Sequence, residues 1–218
     1  MSCNKKECVA PEDKPSVITY GSTTPSSNST TTISLQNSAS TSDAYLAEFY
    51  PNNNYGLNTK LFCSAWTYSG TPAKVLYLIR FDYSNVPEGK TIISAKLSLY
   101  ADTTNVYTGS PAPDKGHYGA NLNWSIKRIE NLWSESIVTF NNRPTSSIVN
   151  QVKLNTPLNN TSSFIDINVT DLVKDQLHTQ NYGFEISLDD AIPYKRLAFY
   201  SSDSPYLNSI PVIRIEYK

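Results

Sequence analysis

Short segments that alternate apolar and polar residues with a period of two recur from residue 32 onwards. Such alternation sends successive side chains to opposite faces of an extended strand. The segments are 32–35, 95–100, 165–169, 184–188 and 213–217, with turn residues at 86–89, 142–144 and 181–183. Residues 75–82 are largely apolar on both faces, which predicts a central strand. Many short strands without long helices between them predict a β-sandwich or barrel.

One helix is predicted, from about Asp171 to His178, because apolar residues recur there with helical spacing. Thr170 or Asn168 is expected to cap its N-terminus. A chain of 218 residues suits one domain, or one domain with a tail. We therefore expect an all-β sandwich domain over residues 32–218, with this helix covering one end.

Residues 1–31 differ in composition from the rest of the chain. From Ser22 to Ser42, 14 of 21 residues are Ser or Thr, and such a segment buries too little apolar surface to offset its ordering entropy. We expect residues 1–31 to form a flexible tether. Cys3 at its start is similar to the lipid-bearing first cysteine of a mature bacterial lipoprotein. Cys3 is therefore the expected lipid anchor, and a stray N-terminal cysteine is the alternative.

The chain holds three cysteines, so they cannot all pair with one another. If Cys3 carries a lipid, Cys8 and Cys63 remain. They either form one disulfide or leave Cys63 as a buried free thiol. The cysteine spacing matches no zinc site, and both alternatives stay open at this level.

Charge and motif content exclude several classes of function. Eighteen Lys and Arg against nineteen Asp and Glu give no cationic surface for nucleic acid. Because no stretch approaches 18 apolar residues, membrane attachment is expected only through the lipid anchor. The sequence has no nucleophile elbow, zinc-protease helix or phosphate-binding glycine loop, and its two histidines, His117 and His178, are isolated. We do not expect an enzyme.

The order of short motifs along the chain resembles a known family. The motifs are Asp43-Ala44-Tyr45, Tyr50-Pro51-Asn52-Asn53-Asn54-Tyr55-Gly56, Leu78-Ile79-Arg80-Phe81-Asp82, Val86-Pro87-Glu88-Gly89, Trp133-Ser134-Glu135, Asn142-Arg143-Pro144, Asn181-Tyr182-Gly183-Phe184 and Phe199-Tyr200-Ser201-Ser202-Asp203. Together they resemble the DNRLRE-domain family over residues 32–218. This resemblance implies a jelly-roll β-sandwich of a secreted or surface protein of bacteria or archaea. Some such domains act as carbohydrate-binding modules, acidic polysaccharides such as alginate included.

Aromatic side chains in predicted loops are the candidate ligand-binding residues. Sugar rings pack on flat aromatic faces, and polar or cationic groups bind hydroxyls and carboxylates. The candidates are Trp66 and Tyr68 in a Ser/Gly-rich turn, Tyr107 and Tyr118 in the segment 105–121, and Tyr194, Lys195 and Arg196 after Pro193. The alternative for each tyrosine is a surface residue of a β-sheet with no binding role.

Jelly-roll modules often hold a structural calcium ion through loop carboxylates and carbonyls. Asp43, Asp102 and Asp114 are loose candidates for such a site, because no Asp-rich loop of fixed spacing connects them. No other cofactor is expected.

These observations favour a non-catalytic, lipid-anchored binding module on the bacterial outer-membrane surface. Its expected ligand is an extracellular polysaccharide, and its expected role is that of an accessory lipoprotein of a glycan-capture system. An outer-membrane protein complex is the expected protein partner. The alternative is a structural or adhesive subunit of a surface or filament assembly, and a polysaccharide-cleaving enzyme is the third hypothesis.

Overall fold

The structure is a computed structural model that describes residues 29–104, 116–156, 161 and 163–218. Cys3, Cys8, Tyr107 and Asp114 lie outside the described residues, so the predictions for them stay predictions. Eleven strands and one α-helix form the regular structure of the described part. The strands are β1 (Thr31–Leu35), β2 (Thr41–Ala47), β3 (Lys60–Tyr68), β4 (Thr71–Phe81), β5 (Ile92–Leu99), β6 (Leu122–Ile129), β7 (Ser146–Thr156), β8 (Phe164–Asn168), β9 (Phe184–Leu188), β10 (Lys195–Tyr200) and β11 (Val212–Tyr217).

The helix α1 spans Thr170–His178, and single 3₁₀ turns occur at Ser38–Ser40 and Leu207–Ser209. The N-cap residue is Val169, which makes no side-chain capping hydrogen bond, so neither Thr170 nor Asn168 occupies the predicted cap position. Thr170 is instead the first helical residue, and its amide and hydroxyl donate to the Asn168 side chain at 3.2 and 2.6 Å. The predicted all-β class and the single short helix are confirmed. No helix of the described residues has the length and apolar character needed to cross a membrane.

The strands form two antiparallel sheets that pack as a sandwich. The smaller sheet has the order β1-β11-β5-β8, and the larger has the order β10-β3-β4-β9-β6-β7. Strand β2 pairs with β4 as well, and Tyr77 of β4 lies opposite Tyr45 of β2 and Ile186 of β9. Strand β4 therefore has neighbours on both sides, which confirms the central strand predicted for residues 75–82.

The main core lies between the two sheets. Leu97 and Ile215 enter it from the smaller sheet, and Tyr77, Trp124 and Phe199 enter it from the larger one. All five side chains are buried. Helix α1 adds Leu172 and Val173 to the same core, which is why the short helix is held against the sandwich.

Cys63 is a free cysteine buried within this core. Of the two alternatives left open by the sequence, the structure shows the buried free thiol. Burial raises the pKa of the Cys63 thiol far above its usual value. The thiol is therefore uncharged at neutral pH and packs as a small apolar side chain.

A second apolar cluster lies on the opposite face of β4. There Leu76 and Leu78, with Ala44 and Leu46 of β2, pack against Ile129, Trp133, Val138 and Phe140. Most of the covering side chains come from residues 130–145, which we call the cover loop. Strand β4 is therefore buried on both faces, which explains its continuous apolar sequence.

The motif at residues 50–56 holds the cover loop in place. The Asn54 side-chain amide donates to the carbonyls of Glu135 and Val138, at 2.7 Å each. Gly56 lies so close to the Glu135 backbone that a Cβ atom at this position would overlap it. This motif therefore fixes the place of Glu135.

Candidate functional site

A groove lined by aromatic side chains lies along strand β3. Phe62, Trp66 and Tyr68 occupy alternate positions of the strand, and they line the groove together with Tyr45, Phe49, Ser64, Thr67, Val75 and Arg196. We call this the aromatic groove. Leu61 and Cys63, on either side of Phe62 in the sequence, point into the main core. The period of two along β3 thus gives one strand a core face and an aromatic face.

The aromatic groove has a volume of about 340 Å³, within the range of small-molecule sites, ~300–1,000 Å³. A larger cavity of about 580 Å³ is lined mainly by polar groups of residues 39–42, 80–84 and 176–181. Its two aromatic residues, Phe81 and Tyr83, are buried in the main core. The aromatic groove is therefore the better candidate for sugar rings, because it offers aromatic side chains that remain partly accessible.

Contacts between rings fix one end of the aromatic groove. Tyr68 stacks on Phe49 with ring centroids 5.4 Å apart, and its hydroxyl lies 3.1 Å from that of Tyr50. Tyr45 stacks on Tyr55 at 4.3 Å. These contacts orient the rings in the protein itself, so a ligand would meet an arranged surface.

The other end of the groove is built around Trp66. Its ring centroid lies 5.3 Å from that of Tyr194, nearly perpendicular to it, and 5.8 Å from that of Tyr118. Tyr118 is held by two backbone hydrogen bonds of 2.8 Å to Arg196. Tyr194 has a left-handed backbone (φ 66°) immediately before β10 and is about half exposed.

Arg196 is the charged residue of the groove lining. The side chain is 6 % exposed, and Nε and Nη2 each donate to the Gly116 carbonyl at 3.3 Å. The hydrogen bond to Tyr68 raises the pKa of Tyr50, and burial raises that of Tyr45. Both phenols are therefore neutral at neutral pH.

The structure brings most of the predicted binding residues together, but only Tyr118 and Tyr194 of these lie outside the strands. Trp66 and Tyr68 were expected in a turn, and Lys195 and Arg196 in a segment after Pro193. All four belong to strands, β3 and β10, because their backbones pair with neighbouring strands. Trp66, Tyr68 and Arg196 line the groove, and Tyr118 and Tyr194 contact Trp66.

Lys195 is placed differently from the other predicted binding residues. Its ammonium pairs with Asp190 at 2.8 Å, and the residue is 9 % exposed. The groove lining contains Arg196 but not Lys195. Tyr45, Phe49 and Phe62 are groove residues that the sequence analysis did not select. The alternation of Phe62, Ser64, Trp66 and Tyr68 was the available signal for Phe62.

A cluster of carboxyl groups forms a second candidate site. Side-chain oxygens of Asp43, Glu135 and Asp203 lie within 4.8 Å of one another. Asp43 Oδ2 accepts a 2.7 Å hydrogen bond from the Ser202 amide, and Glu135 Oε1 accepts a 2.6 Å hydrogen bond from the Asp43 amide.

Burial raises the pKa of Asp43 to about 8, and Glu135 and Asp203 act in the same direction through like-charge repulsion. Hydrogen bonding from Ser202 opposes this rise. Burial likewise raises the pKa values of Glu135 and Asp203.

The two calcium candidates that the structure describes, Asp43 and Asp102, therefore do not belong to one carboxyl cluster. Asp43 lies with Glu135 and Asp203, which the sequence analysis did not select for metal binding. Asp102 is fully buried and pairs with Lys60 at 3.5 Å, and its Oδ1 accepts hydrogen bonds from the Thr104 amide and hydroxyl.

Comparison with known proteins identifies the chain at the family level. A search of curated proteins found no match. The model of carbohydrate-binding module family 96 matches residues 34–216, which include nearly all of the described sandwich. This match confirms the resemblance to carbohydrate-binding modules, whereas the DNRLRE name rests on the quoted motifs alone. Because the match extends over most of the 218 residues, the chain belongs to carbohydrate-binding module family 96.

Proposed function

We propose that the aromatic groove binds a polysaccharide chain without cleaving it. The observation that carries the proposal is the aromatic row Phe62, Trp66 and Tyr68 along one strand. Sugar rings present apolar C–H faces that pack against aromatic rings, while their hydroxyls need hydrogen-bonding groups nearby. The hydroxyls of Tyr68 and Ser64 and the Arg196 guanidinium are polar groups on residues of the same groove.

The charged groups of the groove lining affect whether neutral or acidic polysaccharides bind more tightly. Among the described residues that line the groove there is one guanidinium and no carboxylate, so an acidic sugar would meet no like charge there. The proposed ligand class is therefore extracellular polysaccharide, with acidic chains ranked above neutral ones.

Replacing Trp66 by alanine is expected to weaken polysaccharide binding by about 10- to 100-fold, as for an aromatic hot spot that the bound ligand covers. The wild-type chain is first screened against soluble neutral and acidic polysaccharides by affinity electrophoresis. The affinity for each polysaccharide that binds is then measured by calorimetry.

Tyr206→Ala is the matched control for Trp66→Ala. Tyr206 is about half exposed, contacts Tyr200 and does not line the groove. Its replacement should leave the affinity unchanged. Equal losses in the two variants, or no binding to any polysaccharide of the panel, would contradict the proposal.

We further propose that Cys3 carries a lipid and that residues 1–31 tether the sandwich to the bacterial outer-membrane surface, where it serves a glycan-capture system. The support is the position of Cys3 before a Ser/Thr-rich segment. In cells that make the protein, we expect it to partition into the detergent phase of a Triton X-114 extract. Cys3→Ser should move it to the aqueous phase, and Cys8→Ser should not. A detergent-phase Cys3→Ser variant would refute the anchor.

A further inference from the structure

We propose that Asp43, Glu135 and Asp203 form a calcium site that is separate from the aromatic groove. The three residues come from three distant parts of the chain: strand β2, the cover loop and the segment after β10. None of them lines the groove. The inference therefore concerns a second site and does not depend on polysaccharide binding.

The spacing of the oxygens suits calcium. Carboxylate oxygens bind Ca²⁺ at about 2.3–2.6 Å, so two ligands on opposite sides of the ion lie about 5 Å apart at most. One oxygen from each residue lies within 4.8 Å of the other two. Three acidic oxygen ligands without His or Cys favour a hard cation over zinc.

Two oxygens in this cluster lack the partners that buried polar atoms require. Asp43 is fully buried, and its Oδ1 has no hydrogen-bond partner, whereas Oδ2 accepts the Ser202 amide. Asp203 Oδ2 is likewise buried and unpartnered. Leaving such atoms unsatisfied is costly. A cation bound between the three carboxylates would satisfy both oxygens at once.

The local charge also suits a divalent ion. Arg80 interacts electrostatically with Glu135, and its guanidinium lies over the Trp133 ring at 5.5 Å. In the metal-bound state, with all three carboxyl groups ionised, the carboxylates and this one guanidinium would have a formal charge of −2. A bound Ca²⁺ would neutralise that charge and link the cover loop to β2.

Calcium binding can be tested on the full chain after chelator treatment. We expect saturable binding of one Ca²⁺ by calorimetry. We also expect a rise in the unfolding temperature of about 5–10 °C at calcium concentrations 100-fold above the Kd. Tb³⁺ should bind the same site and show luminescence sensitised by tyrosine, because Tyr77 lies within electrostatic range of Asp43.

Asp203→Asn should weaken Ca²⁺ binding at least 10-fold, because the substitution removes one negatively charged ligand. The variant should still fold, since Asp203 is partly exposed and asparagine has nearly the same shape. Asp171→Asn is the matched control, since Asp171 is an exposed carboxylate on α1 and should not affect binding. Trp66→Ala should also keep the site. The weakest extracellular calcium modules have a Kd of ~1 mM. The proposal is therefore wrong if the wild-type chain shows no saturable binding at Ca²⁺ concentrations up to about 10 mM, tenfold above that Kd. It is equally wrong if folded Asp203→Asn binds as tightly as Asp171→Asn.

Discussion

Replacing Gly183 by alanine is expected to lower the free energy of unfolding by about 3–5 kcal/mol, the sum of backbone strain and overpacking. Gly183 has a φ of +86°, which disfavours any side chain. An alanine Cβ would overlap the Ile79 carbonyl and lie 2.8 Å from the Arg80 Cα. These are backbone atoms of the central strand, so they cannot move aside as a flexible side chain would. Urea denaturation followed by circular dichroism measures the change.

Gly89→Ala separates the two causes of this destabilisation. Gly89 has a similar φ, +77°, but nothing lies within 4 Å of a Cβ built there. It should therefore show only the backbone strain, about 1 kcal/mol. If Gly89→Ala cost as much as Gly183→Ala, the close approach to β4 would have no energetic importance.

Replacing Trp133 by alanine is expected to destabilise the domain by about 3–5 kcal/mol, the usual range for a buried tryptophan. Trp133 is 5 % exposed and packs in the cluster between the cover loop and β4. Its Nε1 donates to the Tyr182 carbonyl at 2.7 Å, and Arg80 lies over its ring. The loss would therefore remove packing, a hydrogen bond and a cation–π contact, and thermal or urea unfolding would detect it.

Two further variants define the origin of the Trp133 effect. Trp133→Phe keeps an apolar ring but removes the hydrogen bond, so its cost should be smaller, about 1–2 kcal/mol. Leu132→Ala changes a neighbour that is 74 % exposed and should have little effect. A large loss in Leu132→Ala would show that the cover loop is stabilised by something other than the Trp133 contacts.

The sequence predicted strands well where only one face is buried or where both faces are strongly apolar. Strands β1, β4, β5, β8, β9 and β11 coincide with the predicted segments. Strand β7 was missed because its exposed positions include Ile148 and Val149, which obscure the alternation. Strand β10 was missed because all six of its residues are buried, the charged Lys195 and Arg196 included.

The candidate residues of the groove were predictable by type but not by their place in the fold. The Ser/Gly-rich segment from Ser64 to Gly70 predicts a turn that presents the aromatic rings of Trp66 and Tyr68. The turn is shorter than expected, because pairing with β4 keeps the backbone of β3 extended up to Tyr68. The contact between the Trp66 and Tyr194 rings depends on the pairing of β3 with β10, and local sequence does not predict which strands pair.

The carboxyl cluster was beyond local sequence for the same reason. Asp43, Glu135 and Asp203 all belong to quoted motifs, but those motifs are about 70 to 90 residues apart. Glu135 reaches Asp43 because Asn54 and Gly56 fix the cover loop against the sheet. Three motifs that are distant along the chain therefore contribute carboxyl groups to the same cluster.

The buried thiol of Cys63 gives the sandwich a natural reporter of its own opening. A protonated, inaccessible thiol does not react with labelling reagents, so modification must wait until the main core opens. In a chain in which Cys3 and Cys8 are replaced by serine, the labelling rate would follow the population of opened molecules. That rate provides a scale on which ligands, ions and substitutions can be compared under native conditions, without denaturant.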